Sequence, residues 1–328
     1  LILSGRGGFQ MGDITRVPGF RVGQETDSSL LTGCTVILAP PGGAVAGVDL
    51  RGGAPATREL GLLRPEMMAE RVHAIYLSGG SAWGLDAAGG VMDFLAENDI
   101  GFATGGGLVP LVPGAAIFDL EAGKPAWPDR QMAYRAAEKA HSGSMEQGNV
   151  GAGTGATLGK AAGTEKMMKG GLGTAAMNLP GGAVAGALAV VNPLGEVRDP
   201  DSGEILAGVR GEKGFLKTRD LFLGQEQAPS FNQNTVLGVV ATDCLLTPSQ
   251  ATRVAQMAHD GLARAIYPAH TMLDGDIIFV LAGGQKETNI NILGMVAADL
   301  IAWAIVRGVQ KARSTHGIPA WQDFRVEK

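Results

Sequence analysis

Cysteine is nearly absent. Cys34 and Cys244 lie far apart, without disulfide-framework, metal or redox spacing, and both are expected as buried, inert thiols. The five histidines, His73, His141, His259, His270 and His316, form no metal-ligand pattern either, so no metal is expected and each reads as structural or solvent-facing. Excess positive charge is missing too. A net charge of -5 and a pI near 5.6 provide no basic field for nucleic acid or anionic lipid, leaving a small molecule or peptide as the expected partner. The most apolar stretch, Ile292 to Val306, is short for a membrane span and carries Asp299 at its middle, so it is expected as a buried core helix. Leu1 to Gln10 lack the basic-then-apolar pattern of a secretory signal, and Met11 is a candidate biological start. A cytoplasmic location is the expectation.

Glycine, by contrast, is abundant, with 51 residues in 328 where about 7% is usual. Clusters such as Arg51-Gly52-Gly53, Ser78-Gly79-Gly80 and Pro180-Gly181-Gly182 fall where apolar runs end, the punctuation of strands joined by tight turns. With 45% hydrophobic and 18% charged residues, the chain can bury a large core, as one large domain or two small ones.

Strands are predicted at Val36–Ala39, Ala44–Leu50, His73–Leu77 and Ala115–Phe118. Helices are predicted at Ala82–Glu97 and Asp129–Ala140. Met177 to Asn192 reads as a buried hairpin and Gly195 to Val209 as a more exposed one. The polar, aperiodic run from Gly211 to Asn234 reads as a linker. Beyond it come a strand at Thr235–Leu246 and a helix announced by Thr247-Pro248, a cap followed by proline at the first helical position. Ile277–Leu281 reads as another strand and Asn291–Arg313 as a long core helix. The mixture predicts layered α/β sheets covered by helices.

Several catalytic signatures fail. Gly79-Gly80-Ser81-Ala82-Trp83-Gly84 resembles a serine nucleophile elbow, but its second glycine is one residue late; Ser81 reads as a helix cap. Gly151 to Lys160 lacks the residues of a Walker phosphate loop and matches a dinucleotide fingerprint only weakly. A nucleotide-binding role remains a minor alternative.

Other features carry chemistry. Lys160 ends this glycine-rich loop, either as a cation beside backbone N–H groups or as a solvated surface lysine. Asn192, at the end of an apolar strand, is either an oxyanion donor or a turn residue before Pro193. Asp274 and Asp276 stand two apart before a strand, either facing one group together or forming an Asp-Gly turn. Asn234-Thr235 is either a plain loop-to-strand junction or a self-cleavage site. Cleavage would give Thr235 an α-amine able to act as base for its own hydroxyl.

Leu77 to Ala87, Gly148 to Gly155 and Asn234-Thr235 with its strand, within a likeness running from Thr15 to the last helix, resemble the DmpA-like family of self-processing N-terminal-nucleophile hydrolases. That family holds β-aminopeptidases, a D-aminopeptidase with esterase activity and a nylon-oligomer endohydrolase. The resemblance implies an α/β fold, a four-layer αββα sandwich, as a single hydrolase domain cut into residues 1–234 and 235–328. It also implies Thr235 as nucleophile, surrounded by Lys160, Asn192, Asp274 and Asp276. Threonine with an Asp-x-Asp pair resembles the nylon-hydrolase branch, whose substrates are linear amides such as aminohexanoate oligomers. Phe118 and Trp127 depart from it, standing where that branch has tyrosine, so they are tentative pocket residues. An aminopeptidase for short β- or D-amino-acid peptides is the alternative, and a non-enzymatic binding protein of the same fold a further one. No cofactor is implied, and a homo-oligomer, a tetramer of processed heterodimers, is expected.

Overall fold

Alternation along the central strands explains the architecture of the computed structural model, which describes residues 12–224 and 234–324. In Thr235–Cys244, Leu237, Val239 and Ala241 face one side, while Val236 and Val240 face the other. A strand buried on both faces requires a layer on each side, and two successive side chains in a strand point to opposite layers.

That strand sits inside a six-stranded sheet whose order is Gly171–Asn178, Val184–Asn192, Thr235–Cys244, Ile277–Lys286, Ala44–Leu50, Arg71–Val72. All its pairings are antiparallel except the parallel pair Thr235–Cys244 and Ile277–Lys286. Pro248–Ala265 and Ile290–Lys311 cover its outer face, where Val191, Val240 and Ile278 meet Val254, Leu300 and Ile301. Against its inner face lies a five-stranded sheet ordered Arg21–Asp27, Thr32–Leu38, Ala74–Ser78, Gly114–Ala116, Ala56–Arg58. Ile37, Ile75 and Leu77 from this sheet pack on Leu188, Leu237 and Phe279 from the other. Helices Ala88–Glu97 and Arg130–Glu138 close the fourth layer over Val36, Leu38 and Tyr76. The result is the four-layer αββα order.

The local chemistry is legible at the ends of the elements. Thr247 and Gln250 form a reciprocal capping box at the start of Pro248–Ala265. The turn between Gly171–Asn178 and Val184–Asn192 passes through Gly181 and Gly182 at φ 81° and 79°, a region that favours glycine. Both cysteines are buried and free.

Four expectations change. Ile290–Lys311 has 22 residues and contains an 18-residue stretch of mean hydropathy 1.8, long and apolar enough to cross a bilayer by those measures. Burial against the sheet and the helix Pro248–Ala265 makes it a core helix, and Asp299 pairs with Arg264 at 2.7 Å on its outer side. The run expected as an aperiodic linker contains a helix, Thr218–Leu223, and pairs Phe215–Leu216 with Val209–Arg210; its residues 225–233, like residues 1–11, lie outside those described. The strand expected through Phe118 ends at Ala116. Gly80 occupies the cap position assigned to Ser81, which is the first helical residue, at φ 54°.

Candidate active site

Asn192 ends one strand and Thr235 begins the next, and antiparallel register sets them directly opposite each other. Period two continues Leu188 and Val190, and Leu237 and Val239, onto these positions, so both side chains belong to the inter-sheet face. Asn192 and Thr235 are buried. On the other flank, residues 274–276 run parallel to 234–236. Asn234 N–H donates to the Leu273 carbonyl at 2.9 Å, Gly275 N–H to the Asn234 carbonyl at 2.7 Å, and Val236 N–H to Asp276 Oδ1 at 2.9 Å.

The Thr235 hydroxyl donates to the carbonyl oxygen of Asn234 at 2.5 Å. A hydroxyl has one proton to give. Neither Asp274 nor Asp276 therefore receives it here, although sequence spacing pointed to both facing one group. Instead the two carboxylates diverge. Asp276 Oδ2 accepts the backbone N–H of His270 at 2.9 Å and pairs with its Nδ1 at 2.9 Å. Asp274 Oδ2 accepts the Thr271 hydroxyl and, at 3.1 Å, the Thr271 N–H; its Oδ1 is buried with no hydrogen-bond partner among the described residues. Burial, reinforced by the neighbouring Asp276 charge, raises Asp274 to about 6 despite the Thr271 hydrogen bonds.

Lys160 is not a surface lysine. Only 3% exposed, it donates from Nζ to Asn192 Oδ1 at 3.1 Å, an oxygen that also accepts Thr157 N–H at 2.9 Å. Burial lowers its pKa to about 8 against the upward pull of Asp274, Glu121 and Asp119. Asn192 Nδ2 donates to the Phe118 carbonyl at 3.0 Å. One of its two amide hydrogens is thus committed within the protein, leaving one for an incoming oxygen. The fold therefore gathers Lys160, Asn192, Asn234, Thr235, Asp274 and Asp276 from four separate segments.

Phe118 joins this group through its backbone. Trp127 stands further out, 45% exposed, stacked on Trp83 with ring centroids 5.3 Å apart. Among the described residues no cluster of three or more metal-ligating side chains occurs.

Two residues near the site, Lys169 and Asp119, and the hold of the structural His270 on Asp276, carry no mark in the sequence. Lys169, fully buried, donates to three backbone carbonyls beneath the glycine-rich segment. Asp119 accepts Gly80 N–H at 2.7 Å, and burial pushes it up to about 7. His270 holds Asp276. Its backbone N–H and its Nδ1 both meet Asp276 Oδ2, and the residue pays for both contacts with a left-handed φ of 59°. Losing this charge-assisted hydrogen bond should cost about 1.5–3 kcal/mol. His270→Ala is therefore expected to lower stability by that amount in urea denaturation of the uncut chain; a change below about 0.5 kcal/mol would show the contact to be incidental.

A carboxylate held by a left-handed histidine thus lies beside a hydroxyl at the end of the inter-sheet core. Residues 12–321 match Peptidase family S58, and the chain belongs to that family of hydrolases. It is 42% identical to an uncharacterized aminopeptidase of Mycobacterium tuberculosis, over 96% of this chain and 98% of the relative. It is 31% identical to the 6-aminohexanoate-oligomer endohydrolase of a Kocuria species, over 89% of this chain and 84% of that enzyme. The fold matches a Burkholderia β-aminopeptidase with a TM-score of 0.70 at 25% identity, covering 96% of this chain and 91% of that one. An Ochrobactrum anthropi aminopeptidase, described as a variant of the Ntn hydrolase fold, matches with a TM-score of 0.68 at 18% identity, covering 94% and 89%.

Proposed function

We propose that this hydrolase cuts itself between Asn234 and Thr235 and then uses the freed Thr235 as an N-terminal nucleophile on amides. The supporting observation is the hydroxyl of Thr235 at 2.5 Å from the carbonyl oxygen of its own upstream peptide. In the first stage Thr235 Oγ attacks the Asn234 carbonyl carbon, an N-to-O shift gives an ester, and water releases the α-amine. In the second stage that amine, with a reference pKa of about 7.7–8.0, takes the hydroxyl proton. The substrate carbonyl acylates Oγ, with the remaining Asn192 amide hydrogen and nearby backbone N–H groups on the oxyanion, and water completes the turnover. In the uncut chain Asp276 positions the threonine through Val236 N–H; once the amine is free, Asp274 and Asp276 are the carboxylates to orient it, and Lys160 holds Asn192 while contributing positive charge.

The two stages use different titrating groups. Self-cleavage is expected to accelerate as pH rises through about 6, where Asp274 ionises. Hydrolysis needs in addition a neutral α-amine, so its rising limb should lie closer to about 8. Following chain cleavage and amide hydrolysis separately across pH 5–9 on a buffer series of about constant ionic strength tests this. Coincident profiles would contradict it.

For substrate, the Asp-x-Asp pair and the Kocuria relative favour linear amides such as aminohexanoate oligomers. The Mycobacterium tuberculosis relative favours a second reading, an aminopeptidase, and the Burkholderia β-aminopeptidase favours short β-amino-acid peptides, with D-amino-acid peptides the other candidates, as its substrates. Rates on an aminohexanoate oligomer and on a β-alanyl anilide separate them: preference for the anilide would replace the first reading by the second.

A further inference from the structure

Resting on the self-cleavage reading, we infer that Gly275 is a catalytic residue of that step, its backbone N–H holding the oxyanion that forms on Asn234. The Asn234 carbonyl oxygen accepts hydrogen bonds from Thr235 Oγ at 2.5 Å and from Gly275 N–H at 2.7 Å. As Oγ attacks, its own donation is lost and the electron pair of the C=O bond moves onto oxygen. Among the described donors to that oxygen, the Gly275 N–H is the one that remains.

That N–H is fixed before the reaction begins. Asn234 N–H is tied to the Leu273 carbonyl at 2.9 Å, Asp274 N–H to the Thr271 carbonyl at 3.1 Å, and Asp276 to Val236 N–H at 2.9 Å, so both neighbours of Gly275 are anchored. A preorganised donor in a buried site gains strength as charge develops and needs no reorganisation at that moment. The oxyanion then collapses. Its electron pair re-forms the carbonyl, the Asn234 C–N bond breaks, and the proton from Oγ ends on the Thr235 nitrogen. An Asn234 ester and a free amine result, and water splits the ester into the Asn234 carboxylate and the Thr235 hydroxyl.

The absent side chain matters as much as the N–H. A Cβ at position 275 would stand 2.8 Å from Thr235 Oγ1, 2.9 Å from the Ala54 carbonyl oxygen and 3.1 Å from Pro55 Cα. Two of these neighbours are backbone atoms, which cannot give way as a flexible side chain would. The third is the nucleophile. The glycine between the two aspartates thus supplies a donor and leaves the hydroxyl room to reach its target.

An ordinary ladder hydrogen bond would make the same ground-state contact without affecting the barrier. Two full-length variants distinguish the cases, each compared with wild type by melting temperature and by the first-order rate of chain cleavage. Glycolic acid at position 275, introduced by nonsense suppression in cell-free synthesis, replaces N–H by oxygen and keeps the space. It is expected to slow cleavage about 10²–10³-fold, the usual effect of removing one oxyanion donor. Gly275→Ala keeps the N–H and removes the space, and is expected to slow cleavage at least about tenfold by displacing Oγ. A folded glycolate chain that cuts at the wild-type rate would overturn the oxyanion assignment, and a Gly275→Ala chain that does so would overturn the steric one; both results leave self-cleavage standing. Wild type that never cuts would instead overturn the reading underneath.

Discussion

Thr235→Ala is expected to remain a single chain of 33.7 kDa and to hydrolyse no amide. Both losses follow from one atom. Oγ is the hydroxyl already hydrogen-bonded to the Asn234 carbonyl oxygen, and no other hydroxyl among the described residues donates to that oxygen. Without it the N-to-O shift cannot start, so the α-amine that the second stage needs is never released. Removing a nucleophile in a hydrolase costs on the order of 10⁶-fold in turnover. The fold should survive. Thr235 lies in a strand paired on both sides, and alanine keeps the backbone hydrogen bonds while removing only a small side chain. A variant that stayed uncut yet hydrolysed amides would contradict the scheme, because it would separate two activities that share one atom.

The second large effect concerns stability. Lys169 Nζ lies 3.2 Å from the Gly153 carbonyl oxygen, 2.5 Å from that of Ala156 and 3.2 Å from that of Gly170. An ammonium has three protons, and here each finds a carbonyl. Drawing the carbonyls inward fixes the glycine-rich segment, whose Thr157 N–H then reaches Asn192. Lys169→Met takes this donor from the Gly170 carbonyl and leaves the Gly153 and Ala156 carbonyls only their backbone donors, Ala156 N–H and Gly170 N–H. The expected loss is about 1.5–3 kcal/mol, the range for hydrogen bonds made by a charged group. Urea denaturation of Thr235→Ala chains with and without the change measures it, and a loss under about 1 kcal/mol would contradict the clamp. Burial lowers Lys169 to about 7. Between about 7 and the unfolded value of about 10.4 the unfolded chain binds more protons than the folded one, so this residue makes stability rise with pH through that window. Lys169→Met should flatten the rise.

How much of this was legible in the sequence depends on the range of the interactions. Thr247 and Pro248 announced their helix because capping is local. The hairpin around Pro180-Gly181-Gly182 was equally readable from its turn. The helix Thr218–Leu223 was missed within a polar run, because it is short and its apolar positions do not repeat at helical spacing. At the site, resemblance proposed Lys160, Asn192, Asp274 and Asp276 together with Thr235, but composition and spacing alone left each beside a bland alternative. What brings Asn192 opposite Thr235 is strand register, and pairing between distant strands leaves no short-range mark. His270 and Lys169 were invisible for the same reason. A histidine six residues before an aspartate, or a lysine beside a glycine, has no signature until a left-handed backbone or three inward carbonyls give it a role.

Intact mass with N-terminal sequencing of the purified wild-type chain on a denaturing gel tests the central claim most directly. The account predicts pieces of roughly 24 and 10 kDa in proportion to length, the smaller beginning Thr-Val-Leu-Gly. A single chain that stays whole after prolonged incubation at about pH 8, above the ionisation of Asp274, would contradict self-cleavage at Asn234-Thr235 and remove Thr235 as an N-terminal nucleophile.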